Sequence, residues 1–143
     1  MKKYMFIVVL AMMLCACVKP DEREKDASCE LRSLKAYVYY DAEDFSKYRE
    51  VDLLSGMYIE DQGIATFTFP DEADVFNQTT LVKCRVEATV PSTAKVVMAD
   101  ESGKSKNYGI GGWHDLYNTS IYFNIIADNG VIKNFQIICR CRN

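Results

Sequence analysis

Four thiols, one imidazole, one aromatic cluster and two acidic runs are where this chain could do chemistry. Cys29, Cys84, Cys139 and Cys141 could pair as disulfides, which persist in exported proteins, and four cysteines allow three connectivities. The same thiolates could hold zinc, but a Cys-x-Cys pair inside an alternating strand lacks the tight turn that structural zinc spacings use. His114 is the sole histidine and stands between Trp113 and Asp115. Nucleophilic catalysis would need an activated serine or cysteine within its reach, and no pattern nominates one, so the chain reads as non-enzymatic. Tyr108, Trp113, His114 and Tyr117 could contact a sugar or a peptide, because aromatic faces stack on apolar ring surfaces. The competing role, Trp113 and Tyr117 covering the end of the core, is favoured because exposed aromatic patches are unusual in monomers. Asp41, Glu43 and Asp44, and separately Asp71, Glu72 and Asp74, could offer oxygens to calcium. Neither run has the ligand spacing and central glycine of an EF-hand loop, so solvated acidic loops are expected, with no metal and no cofactor.

A different chemistry is written near the N-terminus. Leu14-Cys15-Ala16-Cys17 resembles a bacterial lipobox, in which an aliphatic residue, two small residues and a cysteine end a signal sequence. By that resemblance Cys17 is the lipidated first residue of the mature protein. Residues 1–16 carry the parts of an export signal: Lys2 and Lys3 as the charged head, an apolar core, and small residues before the cut. A spanning helix needs about 20 consecutive apolar residues, and Lys19 and Pro20 end the run before that. Acyl chains on Cys17, each buried methylene contributing about 0.8 kcal/mol, would hold the protein on a membrane. Residues 17–28 then read as the lipidated cysteine and a charged tether, too polar to offset the entropy of ordering itself. Fully extended, the tether reaches roughly 35 Å at about 3.3 Å per residue. Lys19, Asp21 and Glu22 after Cys17 resemble the sorting signal that sends lipoproteins of gut Gram-negative bacteria to the outer face of the outer membrane, with Pro20 interrupting it. The alternative is an ordinary linker in the periplasm. The expected location is the cell envelope, as an outer-membrane lipoprotein exposed at the surface.

Removing residues 1–16 takes two of the 17 basic residues and no acids, leaving 15 against 20 and a net charge of −5. With no basic stripe to neutralise phosphates, nucleic acid is excluded as a partner. The remaining 127 residues suit one domain, expected over 29–143.

The elements that must position these residues follow a period of two. Leu34, Ala36, Val38 and Tyr40 share one face of a first strand; residues 41–57 are acidic and irregular; Ala65, Phe67 and Phe69 alternate in a second strand that Pro70 stops. Cys84, Val86, Ala88 and Val90 point one way and Lys83, Arg85, Glu87 and Thr89 the other, up to Pro91. Residues 94–98 form a short strand and 101–112 a loop. In the last two strands, Ile121, Phe123, Ile125 and Ala127 share one face, as do Phe135, Ile137, Cys139 and Cys141. Opposed residues of a hairpin have a constant index sum, so both faces meet one core only if that sum is even. A three-residue loop, Asp128-Asn129-Gly130, satisfies this and sets Phe123 opposite Phe135, with Gly130 where positive φ is required.

This pattern predicts an all-β fold, an antiparallel sandwich of about seven strands. Phe67-Thr68-Phe69-Pro70, residues 81–90, Asp115-Leu116, and residues 123–130 with Lys133 and Phe135 resemble the Ig-like or cadherin-like β-sandwich modules of uncharacterised lipoproteins of gut Gram-negative bacteria. The resemblance covers roughly residues 31–141. The chain departs from it in its four later cysteines, in the charged segment before Gly56, and in stopping after one module. In an ordinary sandwich the first strand begins where the third begins, which would bring Cys29 to Cys84 as a disulfide and put Cys139 and Cys141 at the other end; Cys29 with Cys141 is the competing pair. The expected function is a lipid-anchored binding module for carbohydrate or a protein partner, or alternatively a structural or regulatory accessory docking on an envelope enzyme or surface complex.

Overall fold

The computed structural model describes residues 27–142. The signal segment, Cys17 and nearly all of the tether lie outside the described residues. Nine strands form two sheets. Each strand exists because alternate residues find a common interior: along β1 (Ser33–Tyr39) every second side chain is buried, with Leu34, Ala36 and Val38 inward. β1 lies between β2 (Tyr48–Asp52) and β5 (Cys84–Thr89), and β7 (Trp113–His114) completes the first sheet in the order β2-β1-β5-β7. The second sheet runs β3 (Met57–Ile59), β4 (Ile64–Phe69), β9 (Ile132–Cys141), β8 (Ser120–Ile126) and β6 (Lys95–Met98). Its pairs are antiparallel except β4 with β9, which runs parallel from Ile64 opposite Gln136 to Phe69 opposite Cys141.

The sheets bury one core between them, in which Leu34, Phe69, Phe76, Phe123, Ile125 and Ile137 are inaccessible to solvent. The chain crosses from β4 to β5 through a short helix, α1 (Gln78–Leu81). Asn77 starts it, its side chain accepting from the Thr79 and Thr80 amides while the Thr80 hydroxyl accepts from the Asn77 amide. Phe76 packs on Phe69 with ring centres 5.4 Å apart, fixing the crossing to the core.

The β8–β9 hairpin has the register that parity requires. Phe123 lies opposite Phe135, their rings stacked at 5.1 Å. The Ala127 amide donates to Val131 O at 2.8 Å, the Gly130 amide returns to Ala127 O at 2.9 Å, and Gly130 has φ 89°.

Several expectations change. Among the described residues there are nine strands instead of about seven, because residues 41–57 hold β2 and the start of β3, and β7 adds a two-residue edge. β2 is an edge strand with almost no buried side chain, so no apolar alternation marked it. Tyr40 is exposed, since β1 stops at Tyr39. The loop after β6 is tied down: the Met98 amide donates to Tyr108 O and the Lys106 amide to Met98 O, covering the free edge of β6.

The Cys29–Cys84 pairing is overturned. β1 and β5 are antiparallel, so Cys84 stands opposite Val38, near the end of β1, while Ser33 at its start faces Thr89. From Ser33 to Val38 the strand covers about 16 Å, and Cys29 lies further back still; a bridge needs Cα atoms within about 7 Å. Cys29 instead donates its thiol to Val131 O at the β8–β9 turn. Cys139 is not at the far end from Cys84: the two face the core from opposite sheets, and the Cys139 thiol pKa is raised by burial first and by nearby Cys84 second. All four are free thiols.

Candidate functional site

The alternation that buries Ala36 and Val38 turns Tyr37 and Tyr39 to the outer face of the first sheet. The same phase in β5 points Arg85 outward, with Lys83 just before the strand. Register then builds rows across the strands. Tyr37 lies between Glu50 and Arg85, and Arg85 faces Trp113; one pair along, Tyr39 faces Tyr48. The β1–β2 connection brings Phe45 back over this surface.

The result is a contiguous set of rings. Tyr39 contacts Phe45, Tyr48 and Trp113 at centroid distances of 5.7, 5.8 and 5.6 Å; Tyr37 meets Tyr48 at 5.5 Å, and Phe45 meets Trp113 at 6.3 Å. These are the edge-on and tilted geometries aromatic pairs prefer. Phe45 is 58% exposed and Trp113 42%. Two shallow grooves flank them. One of about 400 Å³ is lined by Tyr37, Tyr39, Tyr48, Arg85 and Gly112, the other, of about 320 Å³, by Tyr39, Tyr40, Phe45, Lys83 and Trp113.

Charge is arranged around the rings. Lys83 Nζ is 4.8 Å and the Arg85 guanidinium 4.7 Å from the centre of the Trp113 ring. Tyr37 donates its hydroxyl to Glu87 at 2.8 Å, and that carboxylate holds the phenol pKa above its usual value. Lys35 pairs with Glu50 at 2.8 Å, which raises the lysine pKa.

The expected cluster of Tyr108, Trp113, His114 and Tyr117 is divided. Trp113 belongs to the exposed aromatic face, against Tyr39 and Phe45, and is not a cover for the core. His114 turns inward beside Cys84, its Nε2 2.5 Å from Ile110 O. Tyr117 is half-buried and packs against the core, in the covering role weighed for it. Tyr108 sits on the loop over β6, with Lys106 5.7 Å from its ring centre. Tyr37, Tyr39, Phe45, Tyr48, Lys83 and Arg85 were not singled out for ligand contact, although the outward phase of the tyrosines follows from the alternation of β1.

In the acidic runs Asp41, Asp44 and Glu72 serve local structure. Asp41 accepts from the Glu43 amide and pairs with Lys47, Asp44 accepts from the Ser46 amide and hydroxyl, and Glu72 pairs with Arg49. Among the described residues no group of three or more His, Cys, Asp or Glu side chains is gathered to hold a metal ion.

No protein-family model and no curated protein matches this chain. Among solved structures it is similar to the crystal structure of a candidate secreted protein of Bacteroides fragilis, at 18% identity and a TM-score of 0.47, over 80% of this chain and 95% of that one.

Proposed function

We propose that this chain is a non-enzymatic, lipid-anchored module of the cell envelope, an Ig-like sandwich that binds an extracellular carbohydrate through the outer face of its first sheet. The observation that carries the reading is the exposed aromatic platform of Tyr37, Tyr39, Phe45, Tyr48 and Trp113. Exposed apolar patches on monomers mark interaction sites, and rings flanked by polar donors suit a ligand with an apolar face and a polar rim. Binding is favoured over catalysis because His114 is committed to a backbone carbonyl and burial pushes the Cys84 and Cys139 thiols up to about 12, far from the reactive thiolate range. The lipobox at Leu14-Cys15-Ala16-Cys17 supports the anchor and the outer-membrane location, and the charged tether would lift the domain clear of the lipid.

Two measurements test this. On a glycan array the protein is expected to give signals that Trp113→Ala abolishes while its melting curve stays close to the parent's, as Trp113 is not part of the core. Glycan signals that survive in both Trp113→Ala and Tyr39→Ala place the site elsewhere, and a partner found only in cross-linked envelopes favours the accessory role. Separately, Cys17→Ser is expected to lose fatty-acid labelling and accumulate precursor; labelled, processed Cys17→Ser protein refutes the anchor.

A further inference from the structure

We propose that the sugar taken by this face is acidic, a uronic acid or a sulfated unit whose anion seats between Lys83 and Arg85; this rests on the aromatic face being the binding site. Arg85 points outward from β5 and Lys83 stands two positions earlier, just before the strand begins, which sets the two about 7 Å apart at the backbone. Like charges so placed repel, yet both approach a single ring, that of Trp113. The indole face attracts each cation but has no negative charge to neutralise them.

The neighbouring carboxylates do not serve either. Glu87 accepts the Tyr37 hydroxyl, Glu50 pairs with Lys35, Asp41 pairs with Lys47, and Asp115 accepts the Tyr117 amide. Among the described residues neither Lys83 nor Arg85 has a carboxylate partner. Many cations of the described residues lack an ion pair; what sets Lys83 and Arg85 apart is that the two converge on one exposed aromatic ring, where the counter-charge can arrive with the ligand. The chemistry of the donors agrees. The planar Arg85 fork matches the two oxygens of a carboxylate or sulfate, and Lys83 adds a movable point charge. The apolar side of the same sugar ring lies against the aromatic corner that Tyr39 and Trp113 make, their rings meeting edge-on at 75° with centroids 5.6 Å apart.

The test uses the full-length protein in detergent and four probes in affinity electrophoresis: oligogalacturonate and its carboxyl-reduced neutral form, and dextran sulfate and dextran. Retardation is expected with one or both anionic probes and not with their neutral forms, and which anionic probe is retained separates carboxylate from sulfate recognition. Lys83→Ala/Arg85→Ala is expected to weaken that binding by about tenfold or more, because hydrogen bonds to ionised groups are the strong ones, and Trp113→Ala to abolish it. Lys95→Ala/Lys104→Ala removes the same charge from elsewhere and is expected to leave it unchanged. Equal losses in the two double variants would reveal unspecific attraction and overturn the proposal. Neutral probes retained through Trp113 and indifferent to Lys83 and Arg85 overturn it too, but leave the aromatic face standing as a carbohydrate site. No retardation by any probe also overturns it, and the glycan array then decides the broader reading.

Discussion

At the scale of single residues, the thiols divide by environment. Cys84 and Cys139 sit in the core, where burial disfavours the thiolate and pushes both to about 12; Cys29 and Cys141 are half-buried at the ends of the sandwich. In protein with reduced thiols, a maleimide at pH 8 is expected to label Cys29 and Cys141 and to reach Cys84 and Cys139 only in denaturant. Peptide mapping checks this, and equal labelling of all four in native protein would contradict the buried placement. A pH dependence follows with a definite sign. Because the folded state keeps protons that the unfolded state gives up above 9.0, the stabilisation is complete below that pH and is lost as pH rises through about 12. Urea midpoints are expected to fall between pH 8 and pH 11, and the fall to shrink in Cys84→Ala/Cys139→Ala. The free thiols also show the limit of reading cysteines from a sequence: pairing depends on which strand ends meet, and that is set by β1 lying against β5.

At the scale of elements, two glycines separate backbone conformation from crowding. A Cβ at Gly130 would meet nothing within 4 Å, so Gly130→Val is opposed only by φ 89° and is expected to cost about 1–3 kcal/mol. Gly63 has φ 64°, and a Cβ there would collide with Asn134 O in β9; Gly63→Val is expected to lower the melting temperature further than Gly130→Val. The reverse order in thermal melts would refute the close approach of the turn before β4 to β9. The β8–β9 hairpin was fully legible because parity, a glycine and two apolar faces all demanded one register. β2 and β7 were not, since edge strands of five and two residues with exposed side chains carry no alternation. The aromatic face was half legible. The outward phase of Lys83 and Arg85 could be read from β5, but that they meet Trp113, Tyr39 and Phe45 depends on sheet order and on a loop folding back, and neither is encoded locally.

At the scale of the whole molecule, the two sheets are held by one core in which Phe123 is wholly buried and stacked on Phe135. Phe123→Ala is expected to cost about 3–5 kcal/mol, measured by urea unfolding, while Trp113→Ala on the outer face is expected to change stability little; comparable losses would place Trp113 in the core. The strand order of the second sheet, β3-β4-β9-β8-β6, has a consequence in time. β9 is the last strand in chain order, yet it occupies the middle, and its partner Ile64 precedes Gln136 by 72 positions. A ribosome delivers residues in sequence, so the slot between β4 and β8 stays empty until residue 141 has emerged. Pairings this distant also close slowly. Until then β4 has only the three-residue β3 beside it and the second sheet cannot close, although every strand of the first sheet precedes β8 in the chain. Under the export proposed for this chain, late arrival of the central strand is a delay built into the topology: the second sheet stays open, and the polypeptide easier to thread, until its last strand is delivered.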